Sequence, residues 1–156
     1  EEAYSIAMTL LEALPENRHP DLRILGTDIS TRMLQIAEKA VYEAARVDRV
    51  PYAMRRQYFQ KGVNRWTGFF RVKPRVRDIV RFQRLNFIEP FAFNHPFDIV
   101  FCRNVMIYFD KETQERLVNR FYEVIQGAGY LFIGHSESLT GVQHRFRYVR
   151  PSVYRK

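Results

Sequence analysis

The sequence has little cysteine and no long apolar run. Its one cysteine, Cys102, excludes an internal disulfide framework and is typical of a protein from a reducing cytoplasm. No apolar stretch approaches the roughly 20 residues that a membrane-spanning helix needs. The first residues, Glu1 and Glu2, are acidic, unlike the start of a secretory signal peptide. We therefore predict a cytoplasmic protein that does not insert into a membrane.

Several catalytic signatures are also missing from the sequence. It has no Cys/His/Asp cluster with metal-ligand spacing, no Gly-x-Ser-x-Gly nucleophile turn and no phosphate-binding P-loop. We therefore expect neither a bound metal nor a covalent serine intermediate. A hydrophobic fraction of 46% and a charged fraction of 27% are typical of a soluble globular protein, and 156 residues suit one domain over 1–156.

Helical and strand-like patterns alternate along the chain. Amphipathic helices are predicted over 1–14, after Ser30 and after Asp110, and the last two residues can cap the helices that follow them. Short apolar runs that favour strands lie at 22–26, 97–102, 130–133 and 146–154. This alternation predicts an α/β fold with a mainly parallel sheet. The helix after Ser30 is predicted to bury one apolar face, made of Met33, Ile36, Ala37, Ala40 and Val41.

Positive charge is concentrated in one part of the chain. The net charge is +8, and the stretch 55–84 holds ten lysines and arginines against one acid, Asp78. Extended segments at 69–73 and 79–82 predict a small antiparallel β-subdomain at about 62–84 with a basic outer face. A basic field favours an acidic partner. The alternative is a solvated surface that binds nothing.

The run Gly26-Thr27-Asp28 predicts a nucleotide-binding strand end. A carboxylate there accepts hydrogen bonds from both ribose hydroxyls, because its oxygens are acceptors only. The alternative is that Asp28 only caps the turn that follows it. Such a site also needs a Gly-rich turn about 20 residues earlier, which the sequence does not contain. Either the fold differs, or the first strand and its Gly-rich loop are missing from this chain.

A second constellation follows the apolar run Phe97–Cys102. It places Arg103, Asn104 and Tyr108 just beyond the carboxyl end of a strand, where ligands bind in open α/β sheets. An arginine can pair with a carboxylate, and a tyrosine hydroxyl can orient one. The alternative for Tyr108 is a half-buried packing residue.

Four runs together resemble the CheR family of chemotaxis receptor methyltransferases. They occur in the family's order and span nearly the whole chain, and the run Cys-Arg-Asn-Val-Met-Ile-Tyr-Phe is the most specific part. The runs are Glu1–Met8, Gly26–Ser30, Phe97–Asp110 and Gly134–Leu139.

The resemblance implies methyl transfer from S-adenosylmethionine to glutamate side chains of chemoreceptor cytoplasmic helices, with S-adenosylhomocysteine as product. It also implies a Rossmann-like methyltransferase sheet, and a basic β-subdomain that docks receptors. A glutamate is already ionised at neutral pH, so no general base is required. The resemblance also implies roles for individual residues. In the cofactor site, Glu2, with Glu1 as second choice, lies beside the methionine part, Asp28 binds the ribose, Asn86 and Phe87 flank the adenine, and Asn104 makes a further contact. Arg103 and Tyr108 face the transfer centre, and Arg103 also binds the cofactor.

The sequence departs from the family pattern in two places. The family's Gly-rich loop and N-terminal helical domain would precede Glu1, so we expect a catalytic-domain fragment that binds the cofactor poorly by itself. The turn Gln126–Gly129 stands where a Pro-Gly-Gly turn is usual. Two rival functions remain open: a nucleic-acid methyltransferase, which the basic stretch would suit, and a non-catalytic binding module. The absence of an Asn/Asp-Pro-Pro-aromatic run after Cys102 makes nucleic acid the less favoured partner.

Overall fold

The computed structural model describes residues 1–156, except the side chains of residues 18–20. The chain divides into two compact units, 1–86 and 87–156, and each has its own hydrophobic core. Both units mix helices with strands, which confirms the predicted α/β class. No helix among the described residues is long and apolar enough to span a membrane.

The first unit combines a parallel strand pair with a small antiparallel sheet. Its helices are α1 (Glu2–Ala13), α2 (Thr31–Lys39), α3 (Ala44–Val47), α4 (Tyr52–Tyr58) and α5 (Pro74–Arg77). Its strands are β1 (Ile24–Asp28), β2 (Val41–Glu43), β3 (Phe59–Lys61), β4 (Phe69–Val72) and β5 (Val80–Arg84), and single 3₁₀ turns cover Glu16–Asp21 and Asn64–Trp66.

Helix α1 and the parallel pair β1–β5 form the part of this unit that carries a candidate site. The helix buries Tyr4, Ala7, Met8 and Leu11 at the i, i+3, i+4, i+7 spacing of one helical face. Strands β1 and β5 run parallel, with Asp28 opposite Arg84 at their carboxyl ends. Position 26 has no room for a side chain beside β5, because a Cβ there would lie 2.7 Å from the Phe82 ring.

The predicted buried face of the helix after Ser30 was wrong in part. Ser30 caps α2 as expected, since its hydroxyl accepts the Met33 N–H at 3.3 Å. Met33 and Ile36, however, are 51% and 41% exposed, and the buried residue of the helix is Leu34. The helix ends at Lys39, with Ala40 in the left-handed region, so the chain turns away before Val41 can join the helical face.

The antiparallel sheet has the strand order β2-β4-β3. It therefore covers 41–72 rather than the predicted 62–84, and β5 belongs to the parallel pair instead. The difference arises because β4 pairs with β2, from a part of the chain well before the basic stretch. Arg71 is exposed on the outer face, opposite Gln60. Trp66 packs edge-on against Phe69, with ring centroids 6.0 Å apart, and so stabilises this region.

The second unit is one four-stranded sheet with one long helix. Its sheet has the order β6-β7-β9-β8, parallel only between β6 and β7. Its elements are β6 (Phe97–Cys102), a 3₁₀ turn (Met106–Tyr108), α6 (Lys111–Val124), β7 (Ile125–Ile133), β8 (Arg147–Arg150) and β9 (Val153–Arg155). Parallel pairing, which was predicted for most of the sheet, is confined to β1–β5 and β6–β7, and the hairpin β8–β9 lies in the run 146–154 that was predicted to be extended.

Helix α6 begins and ends for identifiable reasons. The Asp110 carboxylate accepts the Thr113 N–H at 2.8 Å, which lowers the pKa of Asp110 and confirms the predicted cap. The helix ends at Val124, and the segment Gln126–Gly129, which was predicted to be a turn, lies inside β7. Gly129 opposes Asp98 at a bulge, where a Cβ would lie 2.7 Å from the Asp98 carbonyl oxygen.

One buried hydroxyl gives this fold a testable pH dependence. Tyr58 donates its hydroxyl to Glu12, and burial together with this hydrogen bond raises the pKa of Tyr58 to about 12. The bond therefore stabilises the fold fully below pH ~10, the pKa of an unfolded tyrosine, and this contribution is lost as the pH rises towards 12. Tyr58→Phe should lower the free energy of unfolding by about 1 kcal/mol at pH 8. The difference from wild type in urea unfolding should shrink by pH ~11, and a difference that stays constant would contradict this account.

Candidate functional site

The carboxyl ends of β1 and β5 bring Asp28 and Asn86 to the same sheet edge. The two strands are parallel, and the backbone pairing continues past β5, since the Leu85 N–H donates to the Asp28 carbonyl at 3.1 Å. Asn86 is the next residue and is half-buried. This edge is where ligands bind in open parallel sheets. The structure therefore places two of the predicted cofactor residues together.

The Asp28 carboxylate also holds the turn that follows it. One oxygen, Oδ1, accepts the Ser30 N–H at 2.8 Å. The turn-capping alternative is thus correct for one oxygen. The other oxygen has no hydrogen-bond partner among the residues that the structure describes, so the carboxylate keeps one acceptor for a ligand.

Glu1 and Glu2, at the start of α1, are both exposed. Glu1 pairs with Arg46, and its backbone carbonyl accepts the N–H of Ser5 at 3.0 Å. Glu2 lies in the first helical turn, where a negative charge is stabilised by the helix dipole. Their predicted place beside the cofactor's methionine part stays a prediction.

Phe87 is engaged in the core of the second unit. Its ring packs edge-on against Phe91 and Phe121, with centroids 5.8 Å and 5.5 Å away. The ring is therefore already packed against this core and is half-buried. The predicted place of Phe87 at the adenine stays a prediction.

The segment after β6 is a tightly held loop. Asn104 has a φ of 57°, in the left-handed region that asparagine tolerates better than most residues. The chain then makes the 3₁₀ turn Met106–Tyr108, in which Met106 is buried. Tyr108 is 79% exposed, so the alternative of a half-buried packing residue is excluded. Arg103 is also exposed, at the carboxyl end of β6.

Sequence reasoning missed the side chain that holds this loop. Glu137 is only 9% exposed, and it accepts backbone N–H groups of the loop. It lies in the run after β7, at the same end of the parallel pair β6–β7 as Arg103. In the sequence, the run Gly134–Leu139 stands out only by its resemblance to a family motif. The sequence offers no clear signal for this role, because three of the N–H donors to Glu137 lie more than 30 residues earlier in the chain.

No group of three or more histidine, cysteine or acidic side chains that could hold a metal occurs among the described residues. The prediction that no metal takes part remains an expectation about the chemistry.

The family model described as "CheR methyltransferase, SAM binding domain" matches residues 1–155. The chain belongs to the CheR methyltransferase family.

Relatives in several bacteria agree with this family. A probable chemotaxis protein methyltransferase of Rhizobium etli is 37% identical over 156 residues, which cover 99% of this chain and 58% of the relative. Chemotaxis protein methyltransferase 2 of Pseudomonas aeruginosa is 39% identical over 155 residues, covering 99% and 55%. The chemotaxis protein methyltransferase of Escherichia coli is 35% identical over 155 residues, covering 99% and 54%. This CheR-family chain thus spans somewhat more than half the length of these relatives.

The residues of the first unit fit the adenosyl cofactor for which the CheR domain is named. A ribose presents hydroxyl donors, and Asp28 offers a half-buried carboxylate with an oxygen that has no described partner. The amide of Asn86, at the same edge, has both donors and acceptors suited to a nucleobase. These acceptors and donors are compatible with an adenosine ligand.

Proposed function

We propose that the parent protein of this chain methylates glutamate side chains of bacterial chemoreceptors, using S-adenosylmethionine. The observation that carries the proposal is the CheR family match over 1–155. The relatives' names support a chemotaxis methyltransferase, whereas the glutamate acceptor comes from the family resemblance. Each unit contributes one parallel strand pair with polar residues beyond its carboxyl ends, as expected of a Rossmann-like methyltransferase domain.

The chemistry needs alignment more than proton transfer. When bound, the cofactor supplies a methyl group on a positively charged sulfur, and that sulfur keeps the electron pair of the broken bond when the methyl moves to a carboxylate oxygen. The acceptor glutamate is already ionised near neutral pH, because its reference pKa is about 4.3. The protein therefore has to hold donor and acceptor in line and exclude water, effects that together can supply up to roughly 7–11 kcal/mol.

The proposed residues divide between cofactor binding and the orientation of the acceptor. Asp28 binds the ribose, and Asn86 and Phe87 flank the adenine, the latter through its backbone or ring edge. Tyr108 projects into solvent and donates its hydroxyl to the acceptor carboxylate.

Arg103 is not assigned to the acceptor, because close pairing would reduce the nucleophilicity of that carboxylate. We assign it to shaping the strand end and to cofactor contacts, together with Asn104. This assignment leaves Tyr108 as the group nearer the acceptor.

We place receptor docking on the antiparallel sheet β2-β4-β3, whose surroundings carry the basic excess. Arg71→Glu should raise the KM for a receptor fragment about 3–10-fold at low salt and leave kcat nearly unchanged, because a rim charge steers the encounter. The effect should shrink above ~0.3 M salt, where the screening length is a few ångströms. The matched control is Arg150→Glu, which changes another exposed arginine, on β8. An equal rise in KM for both variants would count against docking on this sheet.

The test of the proposed function uses the N-terminally complete parent protein. It is incubated with methyl-labelled S-adenosylmethionine and a chemoreceptor cytoplasmic fragment, and alkali-labile label is collected as methanol. We expect release that disappears in Asp28→Ala. No release from a parent that still binds S-adenosylhomocysteine would reject the glutamate acceptor. Methylation of DNA or RNA, with binding that weakens steeply with salt, would instead favour the nucleic-acid function.

A further inference from the structure

Glu137 is a buried carboxylate with an unusual set of partners. Its two oxygens accept four backbone N–H groups: from Gly134 at 2.7 Å, Met106 at 2.8 Å, and Asn104 and Val105 at 3.0 Å. Three of these donors are consecutive residues of the loop after β6. The fourth is the residue that follows the last residue of β7. One side chain therefore ties together the two loops at the end of the parallel pair β6–β7.

The side chain at position 137 must offer four acceptor sites to these four N–H groups, and a carboxylate does so. A buried charge is costly unless it is hydrogen-bonded, and a carboxylate has about four acceptor sites, which here meet four donors. An amide in its place would offer one acceptor oxygen and would turn an NH₂ group towards N–H donors. Gly134 allows the close approach, because a Cβ there would lie 2.6 Å from Oε2 of Glu137.

A second side chain, Gln114, binds backbone carbonyl oxygens of the same loop. The Gln114 amide, on α6, donates to the carbonyl oxygens of Met106 at 2.8 Å and Phe109 at 3.0 Å. Met106 is thus fixed at both its N–H, by Glu137, and its carbonyl, by Gln114. Tyr108 stands two residues further along this turn and has an exposed side chain. Its backbone is therefore rigidly placed although its ring is free of the core.

We propose that Glu137 is a positioning residue for methyl transfer: by binding the N–H groups of 104–106, it fixes the backbone from which Tyr108 reaches the acceptor. This inference rests on the proposed function, in which Tyr108 contacts the acceptor carboxylate. If Glu137 only stabilised the second unit, its replacement would not change how Tyr108 contacts the acceptor carboxylate.

The test is a double-mutant cycle in the parent protein with a receptor fragment, at saturating cofactor and receptor. Glu137→Gln should lower kcat about 10–100-fold, the scale for a displacement of the order of 1 Å in an active site. On the Tyr108→Phe background the same change should cost less than about threefold, because the contact that it positions is already lost. The matched control is Glu115→Gln, which also removes a carboxylate that accepts a backbone N–H, from Gln143 at 3.1 Å. Effects that multiply in the double variant would overturn the proposal.

Two further measurements cover a Glu137→Gln variant that does not fold and a parent protein that transfers no methyl group. If Glu137→Gln does not fold, Gly134→Ala displaces the carboxylate while keeping its charge, and the same non-additivity with Tyr108→Phe is expected. If the wild-type parent transfers no methyl group, the proposed function is wrong whatever Glu137 does. Amide hydrogen exchange then tests whether Glu137 holds the N–H groups of 104–106. The amides of Asn104, Val105 and Met106 should exchange at least about tenfold faster in Glu137→Gln than in Glu115→Gln. Equal exchange in both variants would overturn the role of Glu137.

Discussion

Replacing Tyr108 by phenylalanine is expected to lower the turnover of methyl transfer about 10–100-fold while the affinity for S-adenosylhomocysteine changes less than about twofold. The hydroxyl is the only group removed, and the ring is exposed, so the fold loses no packing. An interaction that orients the acceptor acts on kcat and leaves cofactor binding unaffected. Turnover is measured as methanol release at saturating substrates, and affinity by calorimetry.

The matched control for this variant is Tyr148→Phe. Tyr148 lies on β8 and is also well exposed, at 63%. Its hydroxyl should be dispensable for both turnover and binding. A large loss of cofactor affinity in Tyr108→Phe, with turnover intact, would instead place Tyr108 among the cofactor contacts.

Removing the Asp28 side chain should weaken cofactor binding by about 1.5–3 kcal/mol, which corresponds to a roughly 10–150-fold higher Kd. The physical reason is the loss of a charged acceptor for the ribose hydroxyls. The measurement is S-adenosylhomocysteine binding by the parent protein, with Asp28→Ala compared with Asp48→Ala. Asp48 is an exposed acid paired with Arg55 at 2.9 Å, and its removal should leave binding unchanged.

Asp28→Asn distinguishes the role of Asp28 in cofactor binding from its role in holding the turn at Ser30. Asparagine keeps an oxygen for the Ser30 N–H, which Oδ1 of Asp28 accepts at 2.8 Å, and replaces the second oxygen by a donor. We expect this variant to melt as the wild type does and still to lose roughly tenfold or more in affinity. Wild-type affinity in Asp28→Asn would show that the carboxylate acts only by capping the turn.

Features that depend on neighbouring residues were predictable from the sequence. Ser30 and Asp110 accept N–H groups three residues ahead of them, so the sequence alone determines these caps. The strand Phe97–Cys102 was predicted with its observed bounds because six apolar-rich residues are followed by a polar turn. The positions of Asp28 at the end of β1 and of Arg103 directly after β6 were predictable for the same reason, since the sequence marks both strand ends.

Features that depend on long-range pairing were not predictable in the same way. Strand β5 was assigned to the antiparallel excursion, but it pairs with β1, more than 50 residues earlier in the chain. The wrong face of α2 has a similar cause, because both Leu34 and Met33 can lie on an apolar stripe and packing selects Leu34.

Glu137 shows the same limit at the candidate site. Its partners Asn104, Val105 and Met106 lie about 30 residues away in sequence, and they approach only because β6 and β7 are parallel neighbours. A lone glutamate in a polar run gives no hint of four backbone donors. Sequence reasoning therefore identifies the exposed residues that would touch a ligand more readily than the buried residue that holds them.

The most direct test of the account is to find where the methyl group goes. The parent protein is incubated with S-adenosylmethionine and a chemoreceptor fragment, and the fragment's peptides are mapped by mass spectrometry before and after mild alkali. The account predicts a methyl-sized mass increase on glutamate side chains, removed by alkali and strongly reduced with Tyr108→Phe. Alkali-stable methylation of lysine or arginine side chains, or undiminished glutamate methylation with Tyr108→Phe, would contradict it.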